Sequence, residues 1–184
     1  MLQIIKSNLP IKITEQYEVN YITNKNKEDL FQMYSNEKIS KYVSRKNHST
    51  LRDTEECIDE MEQRIKAGNN LYVGIYDSFN EKLIGIIRFL GKEDPTTLTL
   101  GYALNENYWG KGIIPMTLEK LIQLIKLEGT YARLRATVRE ENLKSIRCIE
   151  KLGFQLSSKF VKEGTLEGKE NEGERLLYYK DLLH

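Results

Sequence analysis

Histidine, cysteine and proline are scarce in this chain of 184 residues, and so is any excess of charge. The histidines are His48 and His184; the cysteines, Cys57 and Cys148, lie far apart and without the short spacings of metal ligands. That is a poor basis for a metal site or for a serine–histidine–aspartate triad. Both cysteines fall within helical patterns and read as small buried hydrophobes in a reducing, cytoplasmic setting. The formal net charge of +1 argues against a dedicated nucleic-acid binder but leaves room for a local anion pocket. No apolar run approaches the roughly 18 residues of a membrane span. The opening MLQIIKSNLP lacks the apolar core and cleavage site of a secretory signal.

What is present is ordinary globular composition, 40% hydrophobic and 30% charged. The length suits one domain over residues 1–184, with 1–13 as an N-terminal extension. Residues Tyr17–Thr23 alternate and predict a strand. Leu30, Met33 and Tyr34 make a helical stripe, and a second helix runs from about Asp53 to Lys66, capped by Thr50 or Asp53, with Ile58, Met61 and Ile65 inward. Strands follow at Leu71–Tyr76, Lys82–Leu90 and Thr97–Leu104, the first two joined by the turn-rich DSFNE. Leu118, Leu121, Ile122 and Ile125 give a helix, Tyr131–Val138 a strand, and Asn142–Leu152 a helix closed by Gly153. FQLSSKFV and RLLYYKDLL read as final strands around a charged, glycine-rich connection. The order predicts an α+β sandwich: a mixed, mostly antiparallel sheet holding one parallel β-α-β unit, with helices packed on it.

The stretch NYWGKGII, Asn107–Ile114, sits at the corner between the Thr97–Leu104 strand and a helix. Glycines there permit a tight turn; they also let an anion approach bare amides at a helix N-terminus, with Lys111 adding charge. Pro115 sacrifices no needed hydrogen bond so early in a helix. The Walker pattern is absent, and a third Rossmann glycine is replaced by Pro115. A second constellation, NLKSIRCIEKLGF, follows the parallel strand, with Asn142 as helix cap and Ser145 in the first turn.

Together, GYALNENYWGKGII and NLKSIRCIEKLGF resemble the GNAT acetyltransferase superfamily: the first its acyl-CoA pyrophosphate loop, the second its N-x-x-S/A helix ending in E-K-x-G-F. More narrowly the chain resembles the branch that holds the ribosomal-protein N-terminal acetyltransferases, over roughly Thr14 to Leu183. It departs from the pattern in three places. Trp109 stands at the usual Gln/Arg position, Ile114 stands at the last Gly/Ala position and should crowd the loop slightly, and Ile149 stands where many members carry a tyrosine general acid.

The resemblance implies direct acetyl transfer from acetyl-CoA to a primary amine, most of all the N-terminal amine of a protein. Pantetheine would enter between the strands Thr97–Leu104 and Tyr131–Val138, with an N–H near Ala103 or Leu104 polarising the thioester carbonyl. Acyl-CoA contacts would further come from Trp109, Gly110, Lys111, Gly112, Ile113 and Ile114, and from Asn142, Lys144 and Arg147 on the second helix. Glu106 is the expected general base, with Glu93 and Asp94 in reserve, and Ser145 the expected proton donor to the thiolate, a role open also to water. Tyr42, Arg45 and Lys46 are acceptor-side candidates. Two other readings stay open: acetylation of a small amine such as a polyamine, amino sugar or antibiotic, and a CoA-binding module without catalysis. The acidic run Asp53–Glu62 could serve a polycation, although a solvated helix face explains it as well. Monomer and homodimer are not distinguished, nor is closure of the Glu163–Glu174 segment over substrate.

Overall fold

The computed structural model describes residues 1–43, 47–91, 94–161, 165–166, 169–170 and 174–182. Among the described residues there are ten strands: β1 (Ile11–Lys12), β2 (Tyr17–Asn20), β3 (Asn70–Asp77), β4 (Lys82–Gly91), β5 (Thr97–Leu104), β6 (Arg133–Arg139), β7 (Gln155–Val161), β8 (Thr165–Leu166), β9 (Lys169–Glu170) and β10 (Glu174–Asp181). Eight form one sheet in the order β1-β2-β3-β4-β5-β6-β10-β7, while β8 and β9 pair with each other. Every pairing in the large sheet is antiparallel except β5 with β6. The helices are α1 (Gln3–Asn8), α2 (Lys27–Tyr34), α3 (Glu37–Ser40), α4 (Leu51–Lys66), α5 (Ile113–Glu128) and α6 (Leu143–Lys151). The expected mixed α+β sheet is therefore present, with α5 as the crossover of the parallel pair.

Successive residues of a strand point to opposite faces, and the two faces carry separate cores. Val73, Ile87, Phe89, Leu98, Leu100 and Leu134 pack with Leu118, Leu121 and Ile125 of α5 and Ile149 of α6. Their strand neighbours Tyr72 and Ile86 pack on the other side with Leu30 and Met33 of α2 and with Ile58 and Met61 of α4. Leu2, Ile5 and Ile11, among the first thirteen residues, belong to the larger core. Leu2 and Ile5 are fully buried in it, and the backbone N–H of Ile4 donates to Glu128 at the end of α5 (2.9 Å). α1 has six residues, too few for an amphipathic period to show in sequence.

Side-chain caps set the boundaries. β2 stops at Asn20 because Thr23 leaves the sheet to enter a reciprocal capping box with Asn26. α4 begins at Leu51 because Thr50 and Asp53 cap together: Thr50 Oγ1 accepts from the Asp53 N–H, and the Asp53 carboxylate accepts from Thr50 and Ser49. After α6, Gly153 adopts φ 81° and the Phe154 N–H returns to the Ile149 carbonyl (3.0 Å), which ends the helix as expected. Cys57 and Cys148 are half-buried at the margins of the two cores rather than enclosed in them, and neither forms a disulfide. Among the described residues no helix is long and apolar enough to cross a membrane.

Phe89 lies in the central strand β4 with 0% of its surface exposed. Phe89→Ala should lower the unfolding free energy by about 3–5 kcal/mol, read as a fall in the urea midpoint with an unchanged slope.

Candidate active site

The parallel ladder between β5 and β6 runs from Thr97↔Arg133 to Leu100↔Ala136 and stops there. Each strand continues, but only along its outer neighbour: β5 to Leu104 beside Gly85 of β4, β6 to Arg139 beside Arg175 of β10. The two strands part, and a cleft opens between Gly101–Leu104 and Thr137–Arg139. Backbone alternation decides which groups face it. Asn105 donates its N–H to the Ile84 carbonyl (2.8 Å), so Ala103, two residues back and opposite Ile86, also directs its N–H to β4. The amides of Tyr102 and Leu104 are turned to the cleft. Of the two expected oxyanion donors, Leu104 is the one with that orientation. Its carbonyl is occupied, accepting from the Trp109 indole N–H (2.8 Å).

The chain then turns sharply. Asn105 caps a short 3-10 turn at Glu106–Tyr108, and Gly110 and Gly112 follow with φ of 78° and 72°. A Cβ built on either glycine meets no heavy atom within 4 Å. Backbone conformation rather than crowding is what requires glycine, and the space outside both is open. Gly112 caps the N-terminus of α5 without a side chain, and Pro115 is its third residue. The side chains of Ile113 and Ile114 are buried in the core, so Ile114 does not crowd the loop as its place in the motif suggests. These two residues offer the corner their N–H groups alone. Two cations flank it: Lys111 Nζ lies 4.7 Å from the Tyr108 ring centroid and Lys144 Nζ 5.0 Å from that of Trp109.

A buried carboxylate fixes this corner. Asp77 at the end of β3 is 0% exposed and accepts from Gln16, Asn80, the Phe79 N–H and the Tyr108 hydroxyl (3.0 Å). Burial alone would raise its pKa, but these donors more than offset it and hold the carboxyl below its usual range. The sequence hint was an aspartate opening the DSFNE turn, with nothing to show that a tyrosine 31 positions away would reach it. A cavity of about 280 Å³ lies beside the corner, lined in part by Asp29, Asp77, Tyr108 and Lys111. Leu104, Trp109 and Ser145 are not among its lining residues.

On the far side of the cleft, Asn142 caps α6 and accepts from the Ser145 N–H (3.2 Å). Ser145 Oγ lies 2.8 Å from the hydroxyl of Tyr102 on β5. Burial pushes the Tyr102 phenol above its usual range. Lys144 and Arg147 are exposed on α6, and Ile149 is fully buried beneath them. Glu106 engages different partners. Its carboxylate accepts from Lys38 Nζ (2.7 Å) and Asn36 Nδ2 (2.9 Å), which join the start of α3 to the corner. The Lys38 hydrogen bond, followed by that of Asn36, holds its carboxyl below the usual range. Tyr102 alternates with Leu98, Leu100 and Leu104 on β5, a pattern that does not reveal the partner of its hydroxyl, and Lys38 and Asn36 carry no signal in the sequence, since their partner is some 70 residues away.

The reserve bases fare differently. Asp94 lies in the turn before Thr97, at the opposite end of β5 from Leu104, a strand roughly 23 Å long by its rise. It accepts there from Thr96 and Thr97, which push its pKa down to about 2, so it serves a turn and not the cleft. Tyr42 follows α3, half-buried, with Lys41 over its ring. Glu93, Arg45, Lys46 and most of Glu163–Glu174 lie outside the described residues. Among the described residues no group of three or more His, Cys, Asp or Glu side chains is arranged to hold a metal ion.

Comparison with known proteins agrees with this geometry. Residues 19–155 match the family described as "Acetyltransferase (GNAT) domain". The probable N-acetyltransferase YjcK of Bacillus subtilis is 25% identical over 147 residues, covering 79% of this chain and 77% of YjcK. The microcin self-immunity acetyltransferase MccE, solved with acetyl-CoA and AMP, superposes with a TM-score of 0.82 at 24% identity, over 95% of this chain and 97% of its own. RimL, a ribosomal-protein α-N-acetyltransferase solved with coenzyme A, superposes with a TM-score of 0.80 at 18% identity, over 93% and 97%.

The Lys38 contact lowers the pKa of the Glu106 carboxyl, and substitution should relieve that. In Lys38→Met the strongest donor to Glu106 is gone, and its carboxyl should titrate at higher pH, nearer the ordinary value of about 4.3. Carboxylate NMR titration of the variant beside the parent protein checks this; an unmoved Glu106 resonance midpoint would show that Lys38 exerts no such hold.

Proposed function

Because the chain belongs to the GNAT acetyltransferase family and is an acetyl-CoA-dependent N-acetyltransferase, we propose that residues 1–184 act as one domain that acetylates the N-terminal amine of a protein by direct attack in a ternary complex. The observation that carries the acceptor is the state of Glu106. Its pairing with Lys38 and Asn36 makes it a weak base, suited to an ammonium that gives up its proton easily. An α-amino group with a pKa near 8 costs about 1.4 kcal/mol to neutralise at pH 7, whereas a lysine costs about 4.6 kcal/mol. Support also comes from RimL, which acts on a protein α-amine and shares the fold.

A polycationic acceptor is less well served. The acidic run along α4 is engaged with the chain's own bases: Glu55 with Lys27, Glu56 with Arg52, Glu60 with Arg64 and Glu62 with Lys66. Asp53 is taken up in the helix cap. That is a solvated helix face, not a cleft lined with unpaired carboxylates.

In this reading the pyrophosphate of acetyl-CoA sits against the amides from Gly110 to Ile114, where the dipole of the 16-residue α5 favours an anion. Lys111, Lys144 and Arg147 supply charge around it, and Trp109 and Asn142 shape the loop and the cap. Pantetheine runs along β5 as an added strand, using the cleft-facing groups of Tyr102. The Leu104 N–H meets the thioester oxygen and stabilises the charge that develops on it. Glu106 accepts the proton of the incoming amine, directly or through water, and Ser145 faces the sulfur as it leaves.

Acetyl transfer to a peptide library beside a panel of small amines tests the acceptor. Peptides with a free α-amine should react, with Glu106→Gln lowering kcat by about 10²-fold and Ser145→Ala by about tenfold, while calorimetry shows acetyl-CoA still bound. Turnover confined to polyamines or amino sugars would overturn the protein acceptor. Turnover unchanged in both variants would remove these two residues from the mechanism.

A further inference from the structure

We infer that Tyr102 is a positioning residue for acetyl transfer, donating its hydroxyl hydrogen to Ser145 so that the Ser145 hydrogen is left to face the departing sulfur. This rests on the acetyl-transfer reading above and deepens it.

The geometry is direct. Tyr102 stands on β5 inside the cleft segment, its hydroxyl 2.8 Å from Ser145 Oγ and 3.4 Å from the Ser145 carbonyl oxygen. Ser145 is held from the other side by its own N–H, donated to Asn142. When two hydroxyls share one hydrogen bond, only one donates. A phenol is the better donor and the poorer acceptor, since its oxygen lone pair is delocalised into the ring. Tyr102 therefore donates to Ser145. Burial holds the phenol protonated, so it remains a donor through neutral pH and does not become a phenolate. The Ser145 carbonyl is the more distant acceptor at 3.4 Å, so the hydrogen goes to Ser145 Oγ at 2.8 Å.

The consequence falls on Ser145. A serine in the first turn of a helix has carbonyls within its reach, and its hydroxyl readily turns back to the backbone. With its oxygen already accepting from Tyr102, its hydrogen is both polarised and left to point into the cleft. In the reaction the amine nitrogen bonds to the acetyl carbon and the carbon–sulfur bond breaks, its electron pair remaining on sulfur. The thiolate leaves against the Ser145 hydrogen bond and takes its proton from solvent. The nitrogen's surplus proton leaves through Glu106 or water. One proton passes in net from nitrogen to sulfur, and neither hydroxyl changes its protonation state. Tyr102 thus acts through Ser145 and does not touch the reacting atoms with its side chain.

The test is a double-mutant cycle with the best acceptor at saturation. Tyr102→Phe should lower kcat about tenfold and leave KM for acetyl-CoA within twofold. In the Ser145→Ala background the same change should cost nothing further. Losses that simply multiply, or a Tyr102→Phe enzyme with parental kcat, would overturn the inference. A second acyl donor separates positioning from damage to the fold. With the acetyl thioester of an acidic aryl thiol, whose thiolate needs no stabilising, the Tyr102→Phe defect should shrink below twofold; an equal defect with both donors would overturn the inference. If the parent protein turns over no amine at all, the acetyl-transfer reading itself falls. If it turns over and Ser145→Ala matches it, that reading stands and the role of Tyr102 falls.

Discussion

The parting of β5 and β6 after Leu100↔Ala136 is the constraint on which the rest of this structure depends. A sheet strand that loses its partner on one side still carries donors and acceptors on that side. Here the loss is held in place by the outer neighbours, because β4 and β10 keep β5 and β6 in register to their ends. The opening is therefore a rigid feature of the sheet rather than a frayed edge. The helices that follow the parted strands, α5 and α6, both begin at that same edge, and both present their N-termini there. Ligands of sheets with helical crossovers gather beyond the carboxyl ends of strands for this reason: amides, helix dipoles and loop side chains converge at one place.

Two carboxylates near the corner show how differently one charge can be used. Asp77 is fully enclosed, and its four kinds of donor leave it no lone pair for chemistry. Its task is to hold Tyr108 and thereby the loop that carries Lys111. Glu106 is also paired, but with groups that water can reach: the Lys38 side chain is 71% exposed and that of Glu106 30%. An exposed ion pair is held weakly and is exchanged at little cost. An incoming ammonium has the same chemistry as the Lys38 amine, so it can take that place on the carboxylate. In the proposed mechanism the place that Lys38 holds on Glu106 is where the acceptor amine would dock.

Local chemistry was legible in the sequence; long-range pairing was not. The alternating Thr97–Leu104, the i, i+3, i+4, i+7 stripe after the glycine corner and the Asn142 cap all express periods or short-range bonds, and each falls where expected. The glycine pair and the N-x-x-S helix were informative because steric and capping demands act on adjacent residues. By contrast, the insertion of β10 between β6 and β7, the docking of α1 on α5, and the contacts Asp77–Tyr108 and Lys38–Glu106 join residues distant in the chain. No local pattern encodes them. Tyr102 falls between the two cases. Its alternation with Leu98, Leu100 and Leu104 is a local pattern, whereas the partner that a buried tyrosine nearly always finds lies 43 residues away on α6.

The replacement of a tyrosine acid by Ile149 bears on how much acid catalysis this reaction requires. Ile149 is fully buried in the larger core and offers no proton to a leaving sulfur. A thiol of pKa about 8.5 is a far better leaving group than an amine. Once the amine has lost its proton, the intermediate expels sulfur in preference to nitrogen even with no acid present. Stabilising the thiolate by a fixed hydrogen bond is then sufficient, and a neutral serine provides it without surrendering a proton. The heavier demand lies on the other side of the reaction, in removing the proton from nitrogen and stabilising the oxyanion. Those tasks fall to Glu106 and the Leu104 amide in the mechanism proposed here. In the proposed mechanism a weak base, a preorganised amide and a hydroxyl held in one orientation favour an acceptor whose ammonium gives up its proton at little cost, as an α-amine does.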